Sequence, residues 1–170
     1  MSELHGERVI LRPLGPDDAA PLRALREAPA VADWWGSLEP GFPLADEPDA
    51  TRFTIVVDGE VAGMIQYTEE EEGSDYRSAE IDVFLDASLH GRGLGTEAVK
   101  VLAHHLVAER GHHRIVMVPA VENAAAIRSY EKAGFRAVGL LERSWRDESG
   151  RWRDEVYMER VEKALVDSAS

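Results

Sequence analysis

Three glycines alternate through His90-Gly91-Arg92-Gly93-Leu94-Gly95-Thr96, between a strand-like run from Ala79 to Leu85 and a helix-like run from Glu97 to Ala108. Glycine at those points leaves backbone N–H groups uncovered, and at the start of a helix they add to the positive end of the helix dipole. The chemistry open to such a junction is the holding of a diphosphate. Two familiar phosphate loops do not fit: a Walker loop places Lys and then Ser or Thr after its last glycine, and a dinucleotide fingerprint needs a later glycine and an acidic residue about 20 positions on. Asp82, in the strand leading to the glycines, alternates with Ile81 and Val83 and so faces away from them. A carboxylate there can take a proton; taken alone, it reads better as a solvated Asp on the outer face of a strand. Downstream, Asn123-Ala124-Ala125-Ala126-Ile127-Arg128-Ser129-Tyr130-Glu131-Lys132-Ala133-Gly134-Phe135 reads as a helix capped by Asn123 and stopped by Gly134.

The glycine spacing resembles the coenzyme A loop of the GNAT acetyltransferase superfamily. The Asn123 segment resembles that superfamily's Asn-x-x-Ala-x-x-x-Tyr-x-x-x-Gly-Phe signature, and the two stand in the same order. The resemblance implies an N-acetyltransferase that uses acetyl-CoA and works by direct attack in a ternary complex. It assigns the pyrophosphate to His90, Gly91, Arg92, Gly93, Leu94, Gly95 and Thr96, with His90 standing where the superfamily usually has Gln or Arg. It assigns the thioester oxygen and pantetheine amides to the backbone of Val83, Phe84 and Leu85, and further cofactor contacts to Asn123 and Ala126. Asp82 becomes the base that takes the amine's proton, since an alkylamine has a pKa of roughly 10.4, and Tyr130 becomes the acid that protonates the thiolate. The bland alternatives are a core Tyr130 and an Asn123 that only caps its helix.

Within the superfamily the chain resembles the aminoglycoside 6'-N-acetyltransferases, through Trp34-Trp35-Gly36, Ile81-Asp82-x-Phe84-Leu85, Gly91 to Thr96, and Ala126 to Phe135. That likeness implies a cationic small-molecule amine as acceptor, flanked by Trp34 and Trp35 and attracted by Glu70, Glu71, Glu72, Asp75 and Asp82. The two Trp residues are otherwise an apolar plug, and the acidic run a solvated turn. Two departures stand against the drug assignment. Val118-Pro119 occupies the point where those enzymes carry an acidic residue, and the stretch from Glu142 to Val161 resembles enzymes that acetylate protein N-termini or small amines. Acetylation of peptide N-termini or small amines is therefore the second reading, and a coenzyme-A-binding sensor without turnover the third.

The elements that must position these residues are legible in outline. Strands are expected at Arg8 to Leu14, Phe53 to Val57, Val61 to Tyr67, Ala79 to Leu85, Arg114 to Val118, Phe135 to Leu141 and Glu155 to Val161; Asp58-Gly59 joins the second and third as a hairpin. Asp17 is the expected cap of a helix from Asp18 to about Glu27, and residues 38–48 read as a loop. The resemblance implies an α+β sandwich: a mixed, mostly antiparallel six- to seven-stranded sheet flanked by about four helices, the fourth and fifth strands splayed to admit the pantetheine arm. With 170 residues and 44% hydrophobic content, one domain over residues 1–161 with a frayed tail at 162–170 is expected.

No cysteine is present, which removes disulfides, thiolate metal sites and a cysteine acyl-enzyme, and the absence of Gly-x-Ser-x-Gly argues against a serine one. The pairs His104-His105 and His112-His113 are adjacent and make poor chelates, so no metal is expected. A net charge of −13 repels nucleic acid and anionic membranes and attracts cations. No signal-like or membrane-spanning run is seen, so a cytoplasmic monomer or homodimer is expected.

Overall fold

A computed structural model describes residues 1–45, 49–70 and 75–163. Among these residues eight strands form one sheet in the order β1-β2-β3-β4-β5-β6-β8-β7, with β1 at Leu4–His5, β2 at Val9–Pro13, β3 at Ala50–Val57, β4 at Glu60–Glu70, β5 at Ser78–Leu85, β6 at Arg114–Met117, β7 at Arg136–Arg146 and β8 at Trp152–Val161. Every pairing is antiparallel except β5 with β6. The strand beyond the expected six or seven is the two-residue β1, too short for a periodicity to show. Helices α1 (Ala19–Glu27) and α2 (Pro29–Trp35) cover one face; α3 (Leu94–Ala108) and α4 (Ala124–Lys132) cover the other. Among the described residues, no helix is long and apolar enough to cross a membrane.

The period-two pattern of β5 divides the core. Ala79, Ile81, Val83 and Leu85 pack toward α3 and α4, whereas Phe84 joins Leu22 of α1, Val31 of α2 and Met64 of β4 on the opposite face. Asp82 shares that second face by alternation. In α3, Leu94, Ala98, Val99, Leu102, Ala103 and Leu106 are buried, the stripe expected of a helix laid on a sheet.

Several boundaries differ from expectation. Asp17 does not cap the first helix: Gly15 precedes a short 3-10 turn at Pro16–Asp18, and Asp18 is buried, accepting hydrogen bonds from Arg12, Thr54 and the backbone N–H of Gly15. The buried acceptor wins because Arg12 and Thr54 neutralise it from neighbouring strands. The acidic run from Glu69 also begins inside a strand, because β4 stays paired with β5 through Glu70 opposite Ser78. Strand β7 runs on to Arg146 and β8 begins at Trp152, joined by a turn in which Asp147 Oδ1 accepts from Ser149 Oγ and the Arg151 N–H.

The parallel contact between β5 and β6 covers only Ala79 opposite Ile115 and Glu80 opposite Val116. Beyond those pairs the two strands follow different partners. Strand β5 stays on β4 as far as Leu85 opposite Gly63. The chain after β6 keeps to β8, with the Val156 N–H donating to Pro119 O at 2.9 Å and the Val121 N–H to Asp154 O at 3.0 Å. A wedge opens between them, which is the splay that the resemblance implied.

Candidate active site

A cleft of about 1160 Å³ fills that wedge and continues over the sheet. One wall is Ile81 to Leu85 of β5, the other Met117 to Ala120, and beyond Glu80 the edge of β5 that faces away from β4 has no strand partner among the described residues. At the end of β5 the cleft reaches the glycine loop. Gly91 and Gly93 take φ values of +80° and +76°, which L-residues with side chains rarely adopt. Gly93 is the N-cap of α3 and supplies no side-chain cap, so the first N–H groups of a 15-residue helix are directed at the cleft without a side-chain partner.

The loop is held from behind. Arg8 Nη1 donates to Arg92 O at 2.8 Å, Glu97 Oε1 accepts from the N–H groups of Glu7 and Arg8 at 2.9 and 3.0 Å, and His90 Nε2 lies 3.1 Å from Leu85 O. Thr96 Oγ1 meets Ser129 Oγ at 2.7 Å, tying α3 to α4. Asn123 Oδ1 accepts from the Ala126 N–H at 3.2 Å, so this Asn caps α4 and lines the cleft at once.

Asp82 lines the middle of the cleft, and Gln66 Nε2 of β4 donates to its Oδ2 at 3.2 Å. Gln66 Oε1 in turn accepts from Arg52 Nε at 2.9 Å, so the carboxylate is aimed by a buried relay rather than left to rotate. Tyr130 lines the same cleft, partly buried against the α3 and α4 core; burial first, and then the charge of Asp82, raise its phenol above the ordinary value, so it keeps its proton. Burial, then repulsion from Asp82, Glu70 and Glu155, push the Glu80 carboxyl up to about 7. Glu155, on β8 and in the cleft wall, is raised by burial and by Asp82, while a hydrogen bond from Ser144 opposes the shift.

Trp34 and Trp35 close the cleft from α2, joined by Trp145 of β7. Trp35 meets Phe84 edge-on at 5.3 Å and carries the guanidinium of buried Arg26 at 5.2 Å. Trp34 is faced by Arg153 at 5.3 Å.

The structure therefore gathers Trp34, Trp35, Asp82, Val83, Phe84, Leu85, His90, Gly91, Gly93, Leu94, Gly95, Thr96, Asn123, Ala126 and Tyr130 around one cleft. Arg92 gives its carbonyl to Arg8 and does not line it. Glu70, at the end of β4, and Asp75 do not line it either, and Glu71 and Glu72 lie outside the described residues. Glu69 is bound by Arg110 at 2.8 Å and by buried His112 at 2.5 Å, which makes it a brace between β4 and the end of α3. Sequence reasoning missed Glu155 and Trp145, which are brought in by pairing of distant strands. Glu80 shares a strand face with Asp82 but does not itself line the cleft.

Comparison with known proteins points the same way. The model of the acetyltransferase (GNAT) domain matches residues 8–136. Aminoglycoside N(6')-acetyltransferase type 1 of Klebsiella pneumoniae is 29% identical over 155 residues, covering 79% of this chain and 77% of that one. Spermidine N(1)-acetyltransferase of Escherichia coli K12 is 28% identical over 142 residues, covering 78% and 75%. A solved structure of the aminoglycoside acetyltransferase AAC(6')-Ib with coenzyme A and kanamycin superposes with a TM-score of 0.74 at 28% identity, covering 95% of this chain and 99% of that one. The uncapped glycine turn, the wedge between parallel strands and the match over most of the length agree: the chain belongs to the GNAT acetyltransferase family.

Proposed function

We propose that the protein transfers an acetyl group from acetyl-CoA to a primary amine of a polycationic small molecule, with the 6'-amine of an aminoglycoside as the leading acceptor. The single observation that carries the reading is the placement of Asp82, Glu155 and the Trp pair in the same cleft as the glycine loop. The cleft fits coenzyme A on two counts: uncapped N–H groups at α3 suit a diphosphate, and the unpaired edge of β5 suits an extended amide-bearing arm. Gly91, Gly93, Leu94, Gly95 and Thr96 would hold the pyrophosphate, with Asn123 and Ala126 beside it; Val83, Phe84 and Leu85 would bind the arm. Acetyl-CoA supplies the activated acetyl thioester.

The chain's own residues do the rest. Cationic acceptors are drawn by the carboxylates of Asp82 and Glu155, and their apolar faces rest on Trp35. Gln66 orients Asp82, whose carboxylate accepts the ammonium proton and exposes the nitrogen lone pair for attack. Tyr130 stays protonated, and its O–H is the proton source for a departing thiolate, whose ordinary pKa of roughly 8.5 makes that help worth a modest factor.

A second reading, a linear polyamine as acceptor, is favoured by Asp82 of β5 and Glu155 of β8 lining one cleft, two carboxylates from separate strands that suit a chain bearing several ammonium groups. Incubating the protein with acetyl-CoA and kanamycin, then locating the acetyl group by NMR, tests the first reading. Acetylation at the 6' position supports it; spermidine acetylated while kanamycin is left intact replaces it with the second.

A further inference from the structure

Arg153 sits where a bound cation would. It rises from β8 with 6% exposure, its guanidinium 5.3 Å from the Trp34 ring centre and 5.7 Å from that of Trp145. Its Nη atoms reach Asp147 at 3.3 Å and Glu122 at 3.7 Å. Two aromatic faces with two carboxylates are a donor set suited to an organic ammonium ion. This cage stands at a boundary, for Asp33, Trp34, Glu122 and Trp145 line both the main cleft and a second cavity of about 480 Å³, while Arg153 lines only the second.

We propose that Arg153 determines acceptor specificity by filling, from inside, a distal ammonium subsite of the cleft. The inference rests on the reading that the acceptor is a polycationic amine. With the cage taken, the native protein accepts molecules whose second cation stops short of Trp34 and Trp145, and it disfavours longer linear polyamines. Arg153→Met keeps much of the side chain's volume and removes its charge, leaving for an incoming ammonium two rings and two carboxylates that it would share with Arg151, 3.4 Å from Glu122 and 3.7 Å from Asp147. Arg153→Lys keeps the charge and hence the block.

The test is binding of 1,4-diaminobutane and spermine by calorimetry to the wild type, R153M and R153K, with acetyl transfer to each amine measured in parallel. R153M is expected to bind spermine about fivefold tighter, the scale of one desolvated cation–π contact, with diaminobutane changed less than twofold and R153K resembling the wild type. An unchanged spermine-to-diaminobutane ratio in R153M, equal gains for both amines, or no binding of either amine to any variant overturns the proposal. Should R153M fail to give the wild-type near-ultraviolet circular dichroism, R153Q replaces it with the same criteria. Altered binding without acetylation of either amine would sink the acceptor reading and leave the cage standing; acetylation with unaltered preference would do the reverse.

Discussion

Replacing Glu80 with Gln isolates a carboxyl that changes charge near neutral pH. Burial and the neighbouring carboxylates Asp82, Glu70 and Glu155 move it from 4.5 to about 7. At one pH unit below that value about a tenth of the molecules carry the charge, and at one unit above about nine tenths do. A shift of that size corresponds to about 3 kcal/mol unscreened; the side chain is partly exposed, and solvent reduces it to about 1–2 kcal/mol. The sign follows from proton binding. Between pH 4.5 and 7 the folded protein keeps a proton that the unfolded chain has released, so stability falls as pH rises through that window and stays lower above it. Glu80→Gln cannot lose a proton, so the variant should match the wild type near pH 4 and be more stable by about 1–2 kcal/mol at pH 8, as read by urea unfolding. Glu80 does not line the cleft, but it couples to Asp82, which does, and its charge should aid acceptor binding at a distance. Wild-type KM for a polycationic acceptor should fall about fivefold between pH 6 and 8, and E80Q should lose that change, the fivefold being about 1 kcal/mol of screened attraction. A stability difference that does not vary with pH, together with an unaltered KM profile, would refute the reasoning.

Other substitutions separate the remaining roles. Asp82→Asn should lower kcat by roughly 10²- to 10³-fold with acetyl-CoA KM within about twofold, and, because the charge that repels Glu80 and Glu155 goes with it, should not lower the melting temperature. Gly93→Ala forces a side chain onto φ +76° beside Arg8; about 1–2 kcal/mol of stability should be lost and acetyl-CoA KM should rise, both read from one purified variant. Asp18→Ala strands Arg12 and the Thr54 hydroxyl and should cost about 3 kcal/mol in chemical denaturation while leaving acetyl-CoA KM unchanged, because Asp18 lies away from the cleft.

Much of the site was legible because it is written locally. Gly91 and Gly93 announce positive φ, Asn123 and Gly134 bracket α4, and the alternation of β5 sends Asp82 to the face opposite Ile81. What could not be read depends on pairing between distant strands. The splay is a property of no single strand; it arises because Pro119 and Val121 bond to β8 while β5 stays on β4. Trp145 and Glu155 arrive in the cleft by the same long-range pairing of β7 with β8. Glu69 misleads for a related reason: in a run of glutamates it looks solvated, yet Arg110 and His112, some forty residues on, turn it into a brace. Pro29 opens α2 in a stretch to which the sequence reading assigns no element, between the first helix and the loop at 38–48.

Release of coenzyme A from acetyl-CoA, followed with kanamycin, tobramycin, spermidine and a basic N-terminal peptide as acceptors, bears most directly on the central claim. Wild-type protein should release thiol only when an amine is present, fastest with a polycationic small molecule, and D82N should release almost none. Binding of acetyl-CoA without acceptor-dependent release, or release with the peptide alone, would contradict the account.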